Sequence, residues 1–181
     1  MTDIAVRDTP IPASTVLLAA EGDEAAFTRL VAEHRAAMAR VAFVICGDPE
    51  ATGDAVQSAW SIAWRRLHTL RDPDQVRPWL IAIAANEARQ LIRGRRRRPV
   101  VDISDALERH GGGDPADAIG LVDLQRALAH LGADDRRLLA LRFVAGFDST
   151  EIDRHTGISA SGGRSRLARL LERLRTDIDH D

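Results

Sequence analysis

Apolar residues recur at helical spacing from Phe27 onward. Phe27, Leu30, Val31, Met38, Val41, Ala42 and Ile45, with His34 among them, fall on one stripe, which predicts one long amphipathic helix. Gly47-Asp48-Pro49 ends it, because glycine takes the left-handed cap and proline cannot continue the hydrogen-bond ladder. A second helix is predicted from Glu50 to His68, with Val56, Trp60, Ala63, Trp64 and Leu67 on its stripe and Asp72-Pro73-Asp74 as its stop. A third, Pro78 to Arg93, starts with proline in the tolerated first turn and is apolar at Trp79, Leu80, Ile83, Ala84 and Leu91. It closes at Gly94 and runs into Arg95 to Arg98.

The periodicity then stops. Residues 99–120 hold Gly111-Gly112-Gly113, Pro115 and five acids, the composition of a linker. Four shorter helices are predicted beyond it: Leu121 to Leu131, Asp134 to Ala145, Ser149 to Thr156, and Ser161 to Ile178. The last has Leu167, Leu170, Leu171, Leu174 and Ile178 at helical spacing. No alternating strand pattern is present, so the expected fold is all-α: two small helical domains joined by a flexible linker. The domain boundaries read as a disordered tail over 1–15, a first domain over 16–98, the linker over 99–120, a second domain over 121–178 and a short tail over 179–181.

Composition narrows the chemistry. The 181 residues include 25 cations, all of them arginine, so Walker-A loops, Schiff bases and protein kinases, which need a lysine amine, are excluded. With Cys46 as the single cysteine there is no internal disulfide and no cysteine-based zinc site. Cys46 ends an apolar stripe and reads as a buried, inert thiol. No secretion signal is visible, and the longest apolar stretches fall well short of the roughly 20 residues that a membrane helix needs. A soluble, cytoplasmic protein without membrane insertion is expected.

The net charge of −2 hides blocks: residues 1–60 sum to −5, 61–98 to +7, 99–135 to −6 and 136–175 to +5. Two basic segments divided by an acidic one suit a polyanion gripped by two modules, as well as ordinary solvated faces. Asp148-Ser149-Thr150-Glu151 is a capping-box pattern, and Gly157-Ile158-Ser159 makes a turn into an arginine-bearing helix, the outline of a helix-turn-helix. Arg164, Arg166 and Arg169 on that second helix suit phosphates or guanine edges. Arg93 and Arg95 to Arg98, close to Trp79 and Asn86, pair a backbone-tracking surface with groups that meet unpaired bases. Trp60, Trp64 and Trp79 each lie on an apolar stripe and are expected in the core. Enzymatic signals are weak. Gly157-Ile158-Ser159-Ala160-Ser161 misses the nucleophile elbow, and the six histidines lack metal-ligand spacing. No catalytic residue, metal, cofactor or small-molecule substrate is expected.

These residues, in this order, resemble a bacterial RNA polymerase sigma factor of the sigma-70 family, in the extracytoplasmic-function (ECF) group, which keeps sigma regions 2 and 4 joined by a linker. The likeness covers the chain from about Leu17 to Arg175. It rests on Gly22-Asp23-Glu24-Ala25-Ala26-Phe27, Gly47-Asp48-Pro49, Asp54-Ala55-Val56-Gln57 and Arg77-Pro78-Trp79-Leu80 with Ile83, Ala84 and Asn86. In the second half it rests on Leu128 to Leu131, Arg136-Arg137-Leu138, Leu141-Arg142-Phe143 and Glu151-Ile152. The resemblance implies a non-enzymatic initiation factor. Asp54, Gln57, Trp60 and Arg65 would bind the clamp helices of the polymerase largest subunit, and region 4 would hold the flap of the second-largest. Asn86, Arg89, Arg93, Arg95, Arg96, Arg97 and Arg98 would capture and melt the minus-ten element. Ser159, Ser161, Arg164, Ser165, Arg166 and Arg169 would contact the minus-thirty-five element. Core polymerase, promoter DNA and an anti-sigma factor are the implied partners.

Several residues depart from the family pattern. Asp153 stands where a small apolar residue is usual, Thr156 replaces the usual Leu, and Gly162 and Gly163 open the recognition helix. Interior glycines cost about 1 kcal/mol each relative to alanine, which predicts a frayed or unusual recognition helix with helix packing disfavoured at Asp153. Gly53 and Ser58 replace acids in the docking segment, and Gln90 replaces another. Two other readings stay open: a stand-alone helix-turn-helix regulator, and a degenerate adaptor that binds polymerase or an anti-sigma factor without initiating.

Overall fold

Local capping chemistry sets the helix boundaries. The computed structural model describes residues 11–95, 128 and 130–178, and every regular element among them is helical. The expected linker, Arg96 to Arg98 and most of the Leu121 to Leu131 helix lie outside the described residues. Helix α1 (Ala13–Ala20) begins inside the stretch expected to be a tail, and its Thr15, Val16 and Ala19 are buried. Eight residues are too few for periodicity to announce the helix; packing on its neighbour makes it.

Helix α2 (Glu24–Cys46) is capped by the Asp23 carboxylate, which accepts from the Ala26 amide at 2.7 Å. It ends at Gly47, whose φ of 72° is the left-handed conformation that glycine adopts freely. Helix α3 (Pro49–Arg66) repeats the start, with Asp48 accepting from Ala51 at 2.7 Å and proline in the first turn. Two single 3-10 turns, Leu67–Thr69 and Pro73–Gln75, lead into α4 (Val76–Arg95). That helix starts before Pro78 and runs through Gly94 to Arg95, longer than expected at both ends. Gly94 is exposed and only lowers local propensity.

In the second half, α5 (Ala133–Leu139) passes into a π turn, Ala140–Val144, where the sequence predicted uniform helix. The Ala145 amide reaches the Ala140 carbonyl at 3.0 Å, and Phe147, with its amide on the Leu141 carbonyl, is carried to 1% exposure. Helix α6 (Ser149–Thr156) has both halves of the predicted capping box: Asp148 accepts from Thr150 and Glu151, and Glu151 accepts from the Asp148 amide. The turn after α6 leads into α7 (Ala160–Ile178).

Helix α2 packs against α1, α3 and α4, and α5 with its π turn packs against α2 and α4. Buried residues of both halves form one continuous hydrophobic cluster, from Val16 to Leu174. The two bodies expected to be loosely tethered are therefore packed on each other. Arg136 marks the junction. It is 7% exposed, and its Nη1 lies 3.7 Å from where a Cβ on Gly47 would stand, beside the negative end of the α2 dipole. The neighbouring Cys46 thiol is pushed up to about 11 by burial, partly offset by Arg136 and Arg95, as an inert buried thiol requires.

The tryptophans divide. Phe27 meets Trp60 and Trp64 edge-on, with ring centroids at 5.7 Å and 4.8 Å. Trp60 and Trp79 are half-buried, but Trp64 is exposed, contrary to its expected place in the core. Its ring keeps the edge-on contact with Phe27 while remaining 41% exposed.

Candidate nucleic-acid and polymerase interfaces

Helices α2 and α3 enclose an open groove of about 690 Å³, lined by Val31, Arg35 and Ala39 on one wall and by Asp54, Gln57 and Trp60 on the other. Asp54 and Gln57 are exposed. Trp60 is half-buried, and its indole Nε1 is enclosed without a hydrogen-bond partner. The groove thus combines a carboxylate, an amide and an aromatic wall, a mixture typical of protein interfaces. Arg65 is exposed near the end of α3 and does not line it.

Along α4, Trp79, Ile83, Asn86, Gln90 and Arg93 follow one helical row, each half-buried or exposed. An aromatic ring, an amide and a guanidinium in line can stack on a base, hydrogen-bond its edge and hold its phosphate. Arg95 is exposed but lies among carboxylates, 3.4 Å from Asp48 and 3.9 Å from Asp54. Arg89 is half-buried and its Nε bonds Asp134 at the head of α5. Arg96, Arg97 and Arg98 lie outside the described residues.

On α7, Ser161, Arg164, Ser165, Ala168 and Arg169 form an exposed row. The opposite face buries Gly163, Leu167, Leu170 and Leu174. Ser159 caps the helix: its Oγ accepts from Gly162 at 3.2 Å and its carbonyl from Gly163 at 2.8 Å. Gly162 and Gly163 therefore occupy the first turn and not the interior, where the predicted cost of fraying arises. Asp153 is exposed, so it does not oppose the packing of α6 on α7. Thr156 takes over the helix end, donating to the Ile152 carbonyl at 2.6 Å and accepting from Ile158 at 3.1 Å. Arg166 leaves the row of the other site residues: its Nε donates to Asp135 at 2.6 Å.

Sequence reasoning missed Glu87, Asp134 and Asp135. Glu87 accepts from Ser58 at 2.8 Å, which gives the unusual serine of the docking segment a role between α3 and α4. The Arg89 side chain, followed by burial in the opposite sense and then by the charges of Arg89, Arg93 and Arg166, holds the Asp134 carboxyl below the usual carboxylate range. Two adjacent acids opening a helix read as dipole compensation, and only the tertiary contacts reveal their arginine partners. Burial pushes Arg137 down; its Nη2 donates to the His155 carbonyl at 3.1 Å.

Two basic helical faces on two packed halves can be compared with known proteins. Residues 30–98 match the family model for sigma-70 region 2. The RNA polymerase sigma factor CnrH of Cupriavidus metallidurans is 32% identical over 178 residues, covering 90% of this chain and 92% of CnrH. The chain belongs to the RNA polymerase sigma factors. Proteins named ECF sigma factors are among the relatives of this sigma factor, and its place is in that group, as a transcription initiation factor. The probable sigma factor RfaY of Xanthomonas campestris is 30% identical over 168 residues; this sigma factor covers 42% of RfaY's length, and RfaY matches 88% of it. Among solved structures, CnrH in complex with the cytosolic domain of CnrY has a TM-score of 0.70 and 26% identity. The likeness covers 93% of this sigma factor and 97% of that chain. No helix among the described residues is long and apolar enough to cross a membrane.

Proposed function

We propose that this sigma factor binds core RNA polymerase through the α2–α3 groove and reads promoter DNA with the rows on α4 and α7. Asp54, Gln57 and Trp60 are the docking groups on the largest-subunit clamp helices, with Arg65 flanking them. Phe143, 58% exposed within the π turn, is an apolar anchor for the flap of the second-largest subunit. Trp79 and Asn86 receive unstacked bases of the minus-ten element, a move physically akin to base flipping. Arg89, Arg93, Arg95 and the adjoining Arg96 to Arg98 hold its phosphates. Ser159, Ser161, Arg164, Ser165 and Arg169 meet the minus-thirty-five duplex, and Arg166 contributes by fixing α7 on α5. Polymerisation chemistry stays with the core enzyme, so the protein itself is no catalyst, and it works in the cytoplasm where the template is. A sigma factor of similar fold is solved in complex with an anti-sigma factor, which points to such a protein as a third partner.

The observation that carries this reading is the alignment of Trp79, Asn86 and Arg93 on one accessible α4 row, within the residues that match region 2. A run-off assay with purified core polymerase and a pool of candidate promoters tests it. The expected result is a specific transcript that requires this protein and is strongly reduced with Asn86→Ala. Polymerase binding without any transcript overturns it in favour of an adaptor, and a specific gel shift without polymerase favours a stand-alone regulator.

A further inference from the structure

The first turn of α5 sets two carboxylates against arginines of both proposed DNA-facing helices. Asp134 takes the Arg89 Nε of α4, across the junction between the halves, and its charge also feels Arg93. Asp135 takes Arg166 of α7 at 2.6 Å. The same junction holds the buried Arg136 beside Gly47, and a longer contact at 3.4 Å from Arg154 of α6 to the Gln75 side chain. We propose that Asp134 is an internal phosphate mimic: it latches the second half onto the α4 cations, so that the protein alone is closed over part of its own promoter-binding surface. This rests on the assignment of Arg89 and Arg93 to DNA.

Three observations support it. A carboxylate bonded to Arg89 Nε fills the position that a phosphate oxygen needs, and its charge repels a backbone approaching Arg93. The pair is partly exposed, with side chains at 24% for Arg89 and 43% for Asp134, so solvent screens it and a polyanion can displace it. The apolar contact of α5 with α2 and α4 gives closure a component that salt does not weaken, so the carboxylate biases an arrangement that hydrophobic packing already permits.

The test uses the full-length protein with Asp134→Asn, compared with Asp153→Asn, which removes an exposed carboxylate elsewhere. X-ray scattering reads the separation of the halves. Fluorescence anisotropy at low salt reads binding of a labelled duplex without polymerase. Asp134→Asn is expected to enlarge the radius of gyration and tighten duplex binding by about fivefold, against less than about twofold and no expansion for Asp153→Asn. Asp134→Glu, which keeps the charge, is expected to behave as wild type. If Asp134→Asn matches Asp153→Asn in both measurements, the latch is overturned while the initiation reading stands on the run-off assay. Expansion without tighter duplex binding overturns the mimicry.

Discussion

The Ser58 hydroxyl donates to Glu87 Oε2 at 2.8 Å, tying α3 to α4 one residue from Asn86. The bond joins the proposed polymerase-docking helix to the proposed base-capturing helix. Ser58→Ala leaves the half-buried Glu87 with only the longer contact from Gln90 at 3.4 Å. A loss of about 1 kcal/mol in chemical denaturation is expected, with a larger effect on transcript yield than on polymerase affinity.

Asn86→Ala removes the amide of the α4 row and leaves the α2–α3 groove intact. Open-complex formation, followed by permanganate reactivity of the melted strand, is expected to fall about tenfold, the equivalent of one lost hydrogen bond of about 1.4 kcal/mol. Polymerase binding in a pull-down is expected to be unchanged. An equal loss in both assays contradicts the proposed role of Asn86.

Arg164 and Arg169 differ from Arg166 in what they touch. Arg164→Ala and Arg169→Ala are each expected to lower the slope of log affinity against log salt by roughly 1 on minus-thirty-five duplex. Arg166→Ala strands Asp135, whose side chain is 18% exposed. It is expected to lower the thermal midpoint, with a smaller change in slope.

His155 packs on Phe147 with ring centroids at 5.6 Å. Burial, followed by the charge of Arg154, holds its pKa below the ordinary 6.5. The neutral ring is the form the fold accepts, so this stabilisation is complete above pH 6.5 and is lost as pH falls through the depressed folded value. Thermal melts between pH 7.5 and pH 5 are expected to show a falling midpoint that His155→Gln flattens.

A Cβ on Gly163 meets Ile152 and Ile158 at 3.9 Å, ordinary contact, whereas one on Gly162 stands 2.9 Å from the capping Ser159 Oγ. Gly163→Ala is expected to stabilise the protein by no more than about 0.5 kcal/mol, the low end for a helical glycine, because the site lies in the first turn. Gly162→Ala disturbs the cap, and its gain is expected to be cancelled or reversed. Urea denaturation of the two variants separates them.

Helix starts that depend on a residue and its own next turn were legible in the sequence. Asp48 with Pro49, and Asp148 with Glu151, mark theirs within a few residues, because capping is local chemistry. The α4 row was legible only in part: the sequence sets Arg93 near Trp79 and Asn86, but it reads Trp79 and Ile83 as a core stripe, and the structure leaves both half-buried in line with Asn86. Helix α1 was not legible, since its burial depends on residues far along the chain. Nor was the π turn at Ala140–Val144, where the register shift that seats Phe147 is settled by the core it enters.

The sequence by itself determined an all-helical chain, the sigma-like motifs and the arginine-bearing helices, because helical periodicity and capping act between residues a few positions apart. Only the tertiary structure decided which arginines remain free. Arg164 and Arg93 face outward, whereas Arg89 and Arg166 are taken by Asp134 and Asp135. A charge reads the same in the sequence whether water or a carboxylate surrounds it, and packing alone supplies the neighbour that decides its work.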